Sequence, residues 1–337
     1  MTIKKNTYGI GRTSVVFALL IGIFVLLSLV SITVGSAGYT IEEILGEIGK
    51  NGENSVKVIV LNLRLPRILL ATMIGASLSI SGALLQSVMR NPLADPGTIG
   101  VSSGAATVAS TILLISPTMI GALPLFAFGG AALACVLIYS MAWKGGIDPT
   151  RIILSGVAVN SVLGAYTALL QMLNSESLQG VLAFLNGSLA GKSWYQVKVL
   201  FWYTLIGILL AFCCIKQANT LQLGDDMAKS LGISVNMSRI VLSGVAAFLA
   251  ASTVSVVGLI GFVGLVVPHI GRILVGSNYK YLLPTCLLLG ADLLLFADTI
   301  GRTIVKGMEI PVGIIMAVFG GPFFLYMLRK KRGSYGN

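Results

Sequence analysis

From Pro96 to Trp143 the chain reads PGTIGVSSGAATVASTILLISPTMIGALPLFAFGGAALACVLIYSMAW, without one charged side chain. A helical crossing of a bilayer takes about 20 residues, so the run is roughly two crossings long. Ser116-Pro117 and Gly121 to Pro124, near its middle, carry turn chemistry, because proline presets φ and glycine relaxes it. Two membrane-spanning helices joined by a tight connection are expected. That reading decides the fold class. The bilayer core offers the backbone no water, so only helices or a closed barrel cross it. A barrel would show alternating segments of about ten residues, not unbroken apolar runs.

Further charge-free stretches cover Thr13 to Ile41, Ile68 to Met89, Ile152 to Ser175, Val199 to Ile215, Ile240 to Gly271 and Ile310 to Leu328. Ile240 to Gly271 exceeds one crossing. Its Gly258, Gly261 and Gly264 predict a full helix and then a shorter element ending at Pro268. Tyr281 to Ala297, containing Asp292, supplies one more helix. The expected fold is all-α: a polytopic membrane bundle of about ten transmembrane helices per subunit. Composition agrees, since a chain 55% hydrophobic and 10% charged cannot coat a water-soluble globule with polar groups. Small residues four apart, such as Gly75, Ser79 and Ala83, let helix backbones approach closely in lipid.

An even number of crossings places both ends of the chain on one side. With the N-terminus inside, the inner segments hold most of the 23 Lys and Arg residues, including Arg12, Arg90, Lys144, Arg151, Arg239, Arg272 and Arg329. The positive-inside rule then predicts that residues 1–12 and 329–337 are cytoplasmic. A cleaved leader is the rival for the first apolar run, which Lys4 and Lys5 precede. That run is longer than a typical signal core. The net charge of +11 follows from this topology, because the basic residues are dispersed and not gathered into a nucleic-acid surface. Cys135, Cys213, Cys214 and Cys286 lie in apolar runs and read as small packing residues. With no linker or repeat, residues 1–337 form a single membrane-spanning domain.

Few residues carry chemistry. Arg64 and Arg67 flank Pro66 at the expected outer start of the second helix. They read either as headgroup anchors or, with Arg302, as an exposed basic patch for an acidic partner. Thr220 to Ser234 reads TLQLGDDMAKSLGIS, with Leu223, Met227 and Leu231 at helical spacing and Asp225 and Asp226 suited to a first turn. This inner segment, residues 220–234, is expected to be a short amphipathic helix that docks on a soluble partner or rests on lipid. Asp292 is the acid expected at membrane depth, so an ion-coupled transporter is the alternative reading. His269, the only histidine, reads as a helix-end residue, since no second ligand stands near it for a metal site. Gly191-Lys192-Ser193 resembles the end of a phosphate loop, but Asn186 stands where the earlier glycine is required and no strand precedes it. No catalytic residue and no nucleotide site is expected in this chain.

Several blocks, taken together, resemble the FecCD-type permeases of iron-siderophore, haem and vitamin B12 ABC importers. They are Arg64 to Arg67, Asn91 to Pro96 with Gly100 and Gly104, and Asn186 to Ser188 with Gly191 and Trp194. Leu223-Gly224 with Ala228, Leu231 and Gly232 follows, then Gly261 to Leu265 with Pro268, His269 and Arg272, and Glu309 to Gly313 with Gly321-Pro322. The resemblance implies two permease subunits, alike or different, around a central path. It also implies two cytoplasmic ATPases that bind the ATP and Mg, and an extracellular or periplasmic binding protein that delivers the ligand, in a bacterial plasma membrane. Arg64, Arg67 and Arg302 would meet the binding protein. Leu223, Gly224, Asp225, Asp226, Met227, Ala228, Leu231 and Gly232 would form the coupling helix. Asn91, Pro92 and Leu93, together with Pro149 and Thr150, would form the cytoplasmic gate. An iron-siderophore complex is the expected cargo, with haem and corrinoids as alternatives.

Overall fold

The computed structural model describes residues 10–35, 40–48, 54–305 and 307–332. The predicted termini, 1–12 and 329–337, fall largely outside this range. Ten long helices organise the chain: α1 (Ile10–Thr33), α2 (Leu65–Val88), α3 (Val101–Ile115), α4 (Leu123–Ala142), α5 (Pro149–Leu173), α6 (Trp194–Cys213), α7 (Val235–Val257), α8 (Val263–Val275), α9 (Tyr279–Thr303) and α10 (Val312–Arg332). Seven helical spans among the described residues are long and apolar enough to cross a membrane, and α3, α8 and the part of α10 from Val312 to Tyr326 are shorter apolar helices. Among the described residues, extended pairing amounts to one isolated bridge, Trp143 with Ile147.

The opening stretch divides as its composition requires. Asp95 caps a 3-10 turn at Pro96–Ile99, α3 follows, and a second 3-10 turn over Pro117–Ala122 leads into α4. Helix α2 is the axis of the bundle. It packs against α9, α7, α8 and α6, and from Ile74 to Val88 every residue is buried. Glycines permit this closeness: a Cβ on Gly75 would lie 2.1 Å from the Gly290 carbonyl oxygen, and one on Gly82 would lie 1.9 Å from that of Gly264. In lipid, where apolar burial drives little association, such backbone contact supplies the packing energy.

Two expectations are corrected. The second helix does not start at Pro66, because Ser55–Val58 and a π-helical turn at Ile59–Arg64 run into it without a break. Nor does the element after Gly258 end at Pro268; α8 continues to Val275. Pro268 has no N–H for the Gly264 carbonyl, and Gln86 Nε2 donates to that oxygen instead, at 3.3 Å. The break between α7 and α8 is also satisfied from outside. Leu259 N donates to Phe184 O and Ser188 N to Val257 O, both at 2.9 Å, while Phe262 adopts a left-handed φ of 67° to start α8.

Candidate functional site

Polar chemistry gathers at the two ends of the bundle. At one end lie Arg64, Arg67 and Arg302, all three buried. The expected exposed patch is thereby corrected: the arginines are internal because neighbouring helices supply their acceptors. Arg67 Nε lies 3.0 Å from both carboxylate oxygens of Asp298, and its Nη1 lies 2.8 Å from Glu309 Oε2. Arg302, one turn beyond Asp298 on α9, brings Nε to 3.2 Å from Asp298 Oδ2; the contact is ionic, since that N–H is not directed at the oxygen. Arg302 Nη2 donates to Ser31 Oγ, and Arg64 Nη1 to the carbonyls of Ile32 and Thr33 at the end of α1. The group ties α1, α2 and α9 together.

At the other end lies the short helix Asp225–Ser230. It is shorter than the amphipathic segment expected, because Leu223 and Leu231 fall just outside it. Gly224 (φ 104°) and Gly232 (φ 75°) turn the chain on either side. Leu223, Met227 and Leu231 are 61%, 56% and 57% exposed, while Ala228 faces inward and is buried. Three apolar side chains thus stand on and on either side of a helix of six residues.

Asp225 links this helix to residues flanking both expected gate segments. Its Oδ1 accepts from Arg239 Nη2 at 2.9 Å and lies 3.8 Å from Arg90 Nη1. Arg90 directly precedes Asn91, whose Oδ1 accepts from Leu93 N at 3.0 Å and holds the loop in a turn. Arg239 Nη1 donates to Ile147 O at 2.7 Å, just ahead of Asp148, which caps α5 by accepting from Thr150 N at 2.8 Å. Pro149 occupies the first turn of α5, where no N–H is required. The expected coupling segment therefore reaches the residues that flank the two expected gate segments, Arg90 ahead of Asn91 directly and Ile147 ahead of Pro149-Thr150 through Arg239. In the same linker, burial pushes the Asp95 carboxyl above the usual carboxylate range, against a hydrogen bond from Gly97 N.

Two cavities open at this end. One, of about 510 Å³, lies between the 144–148 turn, Asp225, Lys229 and Arg239. The other, of about 530 Å³, has Gln86, Arg90, Asn91, Pro92, His269 and Arg272 among its walls. His269 lies within α8, not at its end, with its ring edge against Phe323 at 6.4 Å between centroids. Asp292 is buried on α9 and has no hydrogen-bond partner among the described residues.

Sequence reasoning overlooked Asp298, the acceptor at the centre of the arginine group. Its signal was present: Asp298 and Arg302 are four apart on one helix, the spacing at which opposite charges meet. Gln86 gave no signal, because its role depends on a carbonyl freed by a proline on another helix.

Comparison with known proteins adds independent findings. A model described as the FecCD transport family matches residues 23–330. The Fe(3+)-citrate import system permease protein YfmE of Bacillus subtilis is 40% identical over 327 residues, covering 97% of this chain and 98% of that protein. The cobalamin import system permease protein BtuC of Halobacterium salinarum is 43% identical over 279 residues, 82% of this chain and 75% of that protein. Among solved structures, one described as a metal-chelate type ABC transporter in an inward-facing conformation superposes with a TM-score of 0.81 at 29% identity, covering 94% of this chain and 99% of its own.

Proposed function

Because the chain belongs to the FecCD transport family, we propose that it is the membrane-spanning permease of a binding-protein-dependent ABC importer and that its cargo is an iron-siderophore complex. One observation carries the reading. Three exposed apolar side chains stand on and beside a short helix whose Asp225 accepts from Arg239, which in turn donates to Ile147 ahead of an expected gate segment. A soluble ATPase that grips Leu223, Met227 and Leu231 would pull on Asp225, hence on Arg239 and on the loop at Ile147. Work done on ATP outside this chain then becomes movement of the gate, with two permeases rocking about a shared path. The chain itself supplies no catalytic group, and ATP and Mg belong to the partner ATPases.

Iron is preferred as cargo because the iron-citrate permease matches nearly the whole length of both chains. The arginine end is the proposed docking face for the external binding protein, whose acids would exchange with half-exposed Glu309 for Arg67. The ion-coupled reading through Asp292 draws no support from the relatives, which are import-system permeases.

The test is Met227→Asp. Placing a charge on the apolar face should strip the ATPase from the purified complex while the membrane domain stays monodisperse. Full recovery of the ATPase with this variant would remove the docking claim.

A further inference from the structure

The 530 Å³ cavity has Arg90, Arg272 and His269 in its walls and, among the described residues that line it, neither Asp nor Glu. Its volume is that of a small-molecule site. Asn91 and Pro92, two of the expected gate residues, form part of the wall, so the cavity is a chamber beside the expected gate. One basic side chain in it is held in place. Gln86 Nε2 is drawn to the Gly264 carbonyl that Pro268 leaves free, and this turns Gln86 Oε1 toward Arg272 Nη1, which donates to it. Arg272 stands one turn after Pro268 on α8, so the device that repairs the helix also fixes the guanidinium at the cavity wall. A guanidinium carries five donors in a planar fork matched to carboxylates; Arg272 directs one to Gln86 and also engages the Tyr279 hydroxyl. Arg90 meets Asp225 only at 3.8 Å, with both side chains well exposed, a pairing weak enough to yield to a ligand.

Resting on the importer reading above, we propose that this chamber selects anionic metal chelates, those whose carboxylates or catecholates leave the complex negatively charged, through Arg272 and Arg90. A neutral chelate, such as a ferric tris-hydroxamate, gains nothing from those charges.

The probe is radiolabelled ferric citrate, with a neutral ferric tris-hydroxamate as control. Both are dialysed against the full chain in discs of zwitterionic lipid at low salt. Arg272→Gln and Arg90→Gln should each weaken ferric citrate binding by about tenfold or more and leave the neutral chelate unaffected, since a hydrogen bond to a charged partner is lost. Arg272→Lys keeps the charge without the fork and should lie between, which separates loss of charge from misfolding. Equal binding of ferric citrate to wild type and both glutamine variants, or none to wild type, overturns the proposal. So does displacement of ferric citrate by phosphatidylglycerol with no difference between the chelates, the result expected of a lipid headgroup site. The importer reading is tested apart: deleting the chain from its host should abolish ATP-dependent chelate uptake. Persistent uptake sinks that reading, whereas chain-dependent uptake indifferent to Arg272 and Arg90 sinks only the selectivity.

Discussion

Burial decides what each acidic partner of Arg67 is worth. Asp298 is nearly inaccessible and accepts from Arg67 while lying against Arg302; Glu309 is half exposed. Removing one member of a buried pair leaves an uncompensated charge and costs about 3–5 kcal/mol, whereas an exposed pair is worth about 0–1 kcal/mol. Asp298→Asn is therefore expected to lower the thermal midpoint sharply in detergent, and Glu309→Gln to shift it little. If Glu309 holds the place of an acid on the binding protein, Glu309→Gln should also raise binding-protein association at low salt. Equal midpoints for the two variants would contradict the ranking. The arginines were legible in the sequence because charge beside long apolar runs stands out. Their burial was not, since it depends on which helices lie alongside, and one-dimensional order holds that only in the four-residue spacing of Asp298 and Arg302.

At the level of single helices, apolar length predicted nearly every crossing, and interruptions were read less well. Pro268 was expected to end its element, a sound inference for an isolated helix, which loses a hydrogen bond at proline. The protein supplies the missing donor from Gln86, 178 residues from the Gly264 carbonyl in sequence but adjacent in space. Glycines divide in the same way. Gly82 and Gly244 both lie within membrane helices, yet a Cβ on Gly82 would meet the Gly264 backbone at 1.9 Å, while one on Gly244 meets nothing within 4 Å. Gly82→Ala must push α2 from α8, an overpacking cost of about 1–3 kcal/mol that falls beside the chamber. Gly244→Ala should be neutral or stabilising by up to about 1 kcal/mol, from helix propensity alone. Thermal unfolding of the two variants in one detergent checks the contrast, and a destabilised Gly244→Ala with an unaffected Gly82→Ala would refute it.

For the whole molecule, hydropathy reveals which helices cross but not which ones lie inside. Of the most apolar window in the span beginning at Ser55, 83% is buried, against 17% for α1, although α1 is the more hydrophobic. Lipid and protein interior are equally apolar, so the centre is marked by small residues and polar side chains instead. The two ends differ in how their charges are arranged, and this bears on orientation. Arg12 reaches Ile273 O at the end where Arg90, Arg239 and Arg272 gather, whereas Arg67 and Arg302 at the other end share Asp298. Under the positive-inside rule we propose that the first end faces the cytoplasm. A fluorescent reporter fused after Arg332 should then fold and emit, because that fusion point is expected on the inside. Alkaline phosphatase inserted at Gly191, in the connection before α6, should be active only if that loop is outside. Bright C-terminal fusions together with active insertions at Gly191 fit the arrangement in which the Asp225 helix meets cytosolic ATPases. Active phosphatase after Arg332, or an inactive insertion at Gly191 in a chain that still assembles, would invert the molecule and remove the ATPase from reach of that helix.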